Sequence, residues 1–218
     1  MNKILHIFFY FFLLFLVIGG LYLANTDLGY FEAAWVKEDG WIENLSALLL
    51  LSSCLLLAGR SITYLKRNKK AAFFTTICLS LVFLFGAGEE ISWGQRLFEV
   101  ESSEFFKANN TQDEMNFHNL EWNGIKLNKL IFSQLLSIVL VFYLVIYKGL
   151  YHYVARLRSF NDYWGMPIPR WHHVLCLFLM AGLIVLIPSD KKWEILELVL
   201  SVTFFLIFLN PFNREVLS

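Results

Sequence analysis

Apolar residues occur along this chain in long unbroken stretches, neither alternating nor recurring every third or fourth position, and short polar segments separate the stretches. Crossing ~30 Å of hydrocarbon takes about 20 residues in a helix. Six stretches approach that length, at 4–24, 41–58, 71–88, 130–147, 174–188 and 195–209. They predict an all-α fold: a polytopic transmembrane helix bundle of six spans, forming a single integral membrane domain over 1–218. The last two stretches are short and must lean on polar flanks such as His172, His173 and Trp193 to reach the interface. The first follows Lys3 but outruns the apolar core of a secretory signal, and no A-x-A-like cleavage site comes after it, so it reads as a retained helix.

Two connections are long. The outer segment 89–129 between spans 3 and 4 far exceeds the ~15 residues beyond which a loop usually carries function or its own helices. Between spans 4 and 5, Tyr147–Trp171 mixes aromatic and basic residues at near-helical spacing. An amphipathic interfacial segment against anionic lipid has that composition.

Composition sharpens the class. Hydrophobic residues make up 57% and charged residues 17%, against roughly 25% charged in a soluble domain. With 22 Phe, the apolar surplus exceeds what one soluble core can hide, so part of it must face lipid. Lys+Arg 18 balances Asp+Glu 18, which removes the basic excess of a nucleic-acid binder.

The charges are nevertheless segregated. Arg60, Lys66, Arg67, Lys69, Lys70, Lys148, Arg156, Arg158 and Arg170 fall in two loops on one side, joined there by Lys3 and Arg214. Cytoplasmic loops carry the Lys/Arg excess, so both termini are expected in the cytoplasm, with the protein in a plasma or inner membrane. Of the acidic residues only Asp162 and Glu215 share that side; the rest lie in outer loops or at outer helix ends.

The candidate chemistry lies among those outer acids. Glu89 and Glu90 end the third span, ~27 Å from its start at 1.5 Å per residue. Ionisable residues at that depth are costly and mark functional sites by default, and a helix C-terminus disfavours them further. A second group follows in Gln112–Trp122: were this stretch helical, Glu114 and His118 would stand four residues apart on one face shared with Glu121. A carboxylate and an imidazole one turn apart suit a divalent metal ion, or a general base with its orienting group, with neighbouring amides behind them. Glu43, Glu194 and Glu197 open the second and sixth spans, where the helix dipole alone accounts for acidic residues. Glu43, Glu89, Glu90 and Glu197 share one depth, so a bound cation, a shared proton or Lys/Arg partners must relieve their repulsion.

Other features carry less. Cys54, Cys78 and Cys176 sit in apolar runs without metal-ligand spacing and read as structural. His152, His172 and His173 read as interface anchors. Asn109-Asn110-Thr111 matches a glycosylation sequon, which matters only in a eukaryotic secretory pathway. Phosphate loops and the H-E-x-x-H and G-x-S-x-G motifs are absent.

The first reading is an integral-membrane enzyme with an outer-leaflet-facing site, acting on a lipid or lipid-linked substrate. Its catalytic residues are Glu89, Glu90, Glu114 and His118, and Glu90, Glu114, His118 and Glu43 are the ligands of one divalent metal ion if a metal is used. The second reading is a non-catalytic membrane subunit docking a protein partner through its acidic outer face. The third is a transporter or ion-conducting protein, which needs ionisable groups near the midplane, where this chain offers only Ser52, Ser53, Thr75, Thr76 and similar residues.

Overall fold

The computed structural model describes residues 2–95, 98–117, 119–122, 125–126 and 134–214. Its first helix, α1 (Asn2–Thr26), is apolar on every face. It ends where Asn25 Nδ2 and Thr26 Oγ1 donate back to Leu21 O and Tyr22 O at 2.8 and 2.9 Å. Asp27 then caps a short turn by accepting from Tyr30 N, and a π-helical turn, Phe31–Trp35, folds Trp35 back against Gly19 and Gly20 of α1.

Helices α2 (Trp41–Lys66) and α3 (Lys70–Glu90) form an antiparallel hairpin. Small polar side chains let them approach closely: Ser80 Oγ donates to Cys54 O at 2.9 Å. After α3 come a short helix, α4 (Glu104–Asn109), and a two-residue antiparallel ladder pairing Glu121 with Lys126 and Trp122 with Ile125. Helix α5 (Leu136–Tyr153) contains a π-helical stretch, Phe142–Tyr147, and turns into α6 (Ala155–Trp164). Helices α7 (Trp171–Val185) and α8 (Trp193–Leu209) complete the chain.

Helix α8 is the central post, packing on α1, α2 and α7. Leu13, Leu16 and Val17 of α1, Leu57 of α2, Ile184 of α7 and Leu198, Val199, Val202 and Leu206 of α8 are completely buried. Phe8, Phe11, Phe15, Leu81, Val82, Leu175 and Leu179 point outward and are exposed, as lipid-facing side chains are.

Among the described residues four helices are long and apolar enough to cross a membrane: α1 from Lys3, α2, α3 and α5. The expected fifth and sixth spans exist as helices of 15 and 17 residues, below the ~20 that span hydrocarbon unaided. Residues 130–133 of the expected fourth span lie outside the described residues, and its helix runs on to Tyr153. The interfacial segment is helical as α6 and packs on α3.

One expectation fails. Gln112–Trp122 is not a helix: the described part is a series of turns closed by a bridge between Asn110 and Leu120. The Asn110 side chain competes with helical bonding by accepting from Gln112 N at 2.8 Å and Glu114 N at 3.3 Å. Glu114 therefore stands outside any helix, and His118 lies outside the described residues.

Candidate functional site

Ring contacts and hydrogen bonds in the bundle fix the level of each carboxylate. Phe83 of α3 meets Phe204 and Phe208 of α8 at 5.4 and 4.8 Å between centroids. Seven residues from Phe83 along α3 is Glu90, and seven from Phe204 along antiparallel α8 is Glu197. Glu197 is eleven residues from Phe208, the closer of the two partners, so the ring contacts set Glu90 and Glu197 level to within about one turn. Glu43 is eleven residues from Cys54 and Glu90 ten from Ser80, so the Cys54–Ser80 contact sets these two level within about a residue's rise.

Electrostatics agrees with this placement. The charges that act on Glu90 are Glu197, Glu43 and Glu194, and those on Glu43 are Glu194, Glu114 and Glu38. Glu43, Glu90 and Glu194 are half-buried and Glu197 is exposed, so the group opens to the surface. Glu43 also accepts from Asp39 N at the start of α2. Lys191, whose charge acts on Glu194, pairs with Glu38 at 3.6 Å. Ser46, one turn along α2 from Glu43, is 1% exposed and its hydroxyl has no partner among the described residues. By contrast the buried hydroxyls of Ser53, Thr76, Ser201 and Thr203 all donate back to their own helices.

Glu89 has a different environment. It is 3% exposed, and its two oxygens accept from Trp93 Nε1 at 2.8 Å and Phe117 N at 2.6 Å. The turn that makes this possible has Ser92, Trp93 and Gly94 in succession at φ of 47°, 55° and 77°. Left-handed backbone at two non-glycine residues costs roughly 1–2 kcal/mol each and persists only where surrounding bonds hold it. Those bonds are present. Ser92 Oγ donates to Glu114 Oε2, and Asn116 Nδ2 donates to Ser92 Oγ at 2.9 Å and to Glu114 Oε2 at 3.0 Å. Gln95 accepts from Met115 N at 2.7 Å and donates to Ser102 Oγ at 2.6 Å. Asn110 Nδ2 donates to Asn116 O at 3.0 Å. The described part of 92–120 is thus a polar cap tied to the end of α3.

The expected site residues divide accordingly. Glu43 and Glu90 come together with Glu194 and Glu197, while Glu114 belongs to the cap and reaches Glu43 electrostatically. Glu89 is the post to which the cap is fastened, and Glu121 lies beside Ala108–Thr111 on an open surface depression. His118 and Arg96 lie outside the described residues. Among the described residues no three His, Cys, Asp or Glu side chains are grouped to hold a metal ion, so the described members of the expected ligand set, Glu43, Glu90 and Glu114, do not form one.

Sequence reasoning did not find Trp93, which turns back onto Glu89, or Ser92 and Gln95, which bond to Glu114 and Met115 a loop away; the dense run of amides at Asn109–Asn119 was the available signal. No family model, curated protein or solved structure matches this chain, so its function is argued from the site itself.

Proposed function

We propose that the protein is a six-span integral-membrane enzyme with an extracytoplasmic site, running acid–base chemistry on a lipid or lipid-linked substrate. Glu90 is the central group, Glu43 and Glu197 act on it through their charge, Glu114 reaches the site from the cap, and His118 is kept as a candidate from its place in the sequence. The observation that carries this reading is the shared level of Glu43, Glu90 and Glu197 on three helices, with no hydrogen bond or ion pair to Glu90 or Glu197 among the described residues. Carboxylates that crowd one another at a membrane boundary hold a proton between them, which makes one an acid and its neighbour a base in the same place. The hydroxyl of Ser46 beside Glu43, unpaired among the described residues, offers a further polar contact.

Exposed Trp41, Phe85, Trp93 and Phe117 near the site supply an amphiphilic border suited to a lipid. A divalent ion remains part of the reading only through His118 joining the carboxylates. The fully buried apolar layer of Leu13, Leu16, Val17, Val199, Val202 and Leu206 across the bundle's middle favours a one-sided site over a conduit.

The test is to incubate purified protein with vesicles of polar lipid extract and follow substrate loss and product formation by mass spectrometry. Wild-type protein is expected to convert a lipid species, and Glu90→Gln to lose at least about a hundredfold in rate, the usual worth of one acid–base group. Conversion undiminished in Glu90→Gln would overturn the assignment. A folded wild-type protein that converts no lipid and co-purifies with one stoichiometric partner would instead favour the docking subunit. Elemental analysis of the same preparations decides the metal.

A further inference from the structure

The opposite end of the bundle holds a group of titratable side chains that this chemistry does not use. His6 of α1 and His172 and His173 of α7 bring three imidazole rings within 4.3 to 5.4 Å of one another. His173 was expected at an interface but is 1% exposed, and His6 is 5% exposed. Two contacts tie the helices together: His6 Nε2 to His173 Nε2 at 3.1 Å, and Tyr10 OH to His172 Nδ1 at 2.7 Å.

The backbone dictates where the protons of the pair sit. Arg170 N–H donates to His173 Nδ1 at 3.2 Å as part of the α7 cap, so that nitrogen presents its lone pair. A neutral His173 therefore carries its proton on Nε2 and donates it to a bare Nε2 of His6. The same placement disfavours a metal ion on His173 Nε2, because coordination there would move the proton to Nδ1, against the Arg170 N–H.

Among the described residues, the charged groups beside these rings are cationic. Lys148 Nζ donates to Pro169 O at 2.8 Å and lies 3.9 Å from the Trp171 ring centroid. The Arg170 guanidinium donates to Asn210 O and Pro211 O, both at 3.1 Å. Lys3 lies one turn before His6, Tyr10 one turn after it, and Cys176 one turn beyond His172. Helix α8, which packs on both α1 and α7, has no titratable residue over Leu198–Leu209. Asp162, the one carboxylate on this side among the described residues, accepts from Tyr151 OH at 2.9 Å.

We propose that the His6–His173 pair is a pH-sensitive lock between the ends of α1 and α7, closed while both rings are neutral and opened by one proton. A proton added to His6 Nε2 sets two N–H donors face to face at 3.1 Å. Moving the His173 proton to Nδ1 escapes that clash only by setting it against Arg170 N–H, which breaks the α7 cap. The element released is the first turns of α1, where Ile4, Ile7 and Phe8 are exposed and Tyr10–His172 and Phe9–Phe205 are further contacts with the bundle. The bond exists only with neutral rings, so its contribution is present at higher pH and lost as pH falls through the titration of the pair.

Hydrogen exchange on the full chain in lipid nanodiscs tests this, with rates corrected for the intrinsic pH dependence of exchange. In wild-type protein, protection of residues 3–12 is expected to fall about tenfold between pH 7.5 and 5, as for the loss of one hydrogen bond, while Leu198–Leu209 is unchanged. His6→Gln, neutral at every pH and still able to accept from His173, is expected to show no such fall. His172→Gln, outside the pair, is expected to keep the wild-type response. A flat wild-type profile, a fall in His6→Gln equal to wild type, or loss of the response in His172→Gln would each overturn the lock.

Discussion

Glu89 and Glu90 are adjacent in sequence and opposite in circumstance. The first is enclosed by donors and the second faces other carboxylates. Removing the charge from each should therefore have opposite effects on stability. Glu89→Gln weakens two charge-assisted bonds, from Trp93 Nε1 and Phe117 N, and is expected to destabilise the protein by about 1–3 kcal/mol. Glu90→Gln removes like-charge repulsion and is expected to leave the melting temperature unchanged or raised. Thermal unfolding in detergent checks both, and a Glu90→Gln protein that melts below Glu89→Gln would contradict the division of roles. The sequence announces both residues through their depth at a helix C-terminus, but it could not separate them. The separation depends on Trp93 turning back and on Phe117 arriving from 28 residues away, and neither leaves a periodic trace.

Element boundaries follow the same logic of what local pattern can carry. The long apolar runs were legible because a helix in lipid must satisfy its own backbone, which leaves few alternatives. α2 outran its expected end by eight residues, to Lys66, because Arg60, Tyr64 and Lys66 carry apolar stems that continue the helix, with Tyr64 buried against Ala72. The 112–122 segment went the other way: a four-residue spacing suggested a helix, and asparagine side chains bonding to nearby backbone prevented it.

The α3–cap junction depends on one close approach, since a Cβ on Gly88 would stand 2.8 to 2.9 Å from the Trp93 ring. Gly88→Ala must push Trp93 away, straining its bond to Glu89, and is expected to cost about 1–3 kcal/mol and to open the cap to protease. Gly182 in α7 has open space at the same position, so Gly182→Ala is expected to stabilise by roughly 0.5–1 kcal/mol. Melting curves of the two variants should move in opposite directions, and parallel losses would refute the packing argument.

For the whole molecule, the up-and-down order of helices and the segregation of charge are one fact seen twice. Each polar link joins the end of one helix to the start of the next, so the chain's acids collect with the cap and its bases with α6 and the Lys66–Lys70 turn. α7 and α8 are short, ~22 and ~26 Å at 1.5 Å per residue. They match a bilayer only if their exposed end residues, Trp171 and Trp193, lie in the two interfaces. Lys107 of the cap and Arg156 of α6 would then lie on opposite sides of the membrane, and the excess of Lys and Arg on the α6 side predicts that side to be cytoplasmic. The prediction is direct: with Lys107→Cys and Arg156→Cys introduced singly, a membrane-impermeant maleimide should label the first on intact cells and the second only after permeabilisation. Buried Cys54 and the span cysteines Cys78 and Cys176 set the background in the parent protein. Reversed labelling would turn the carboxylate site toward the cytoplasm and the histidine pair outward. Labelling of both positions on intact cells would mean that the helices between them do not cross the membrane, and the paired short helices would then have to lie within one leaflet.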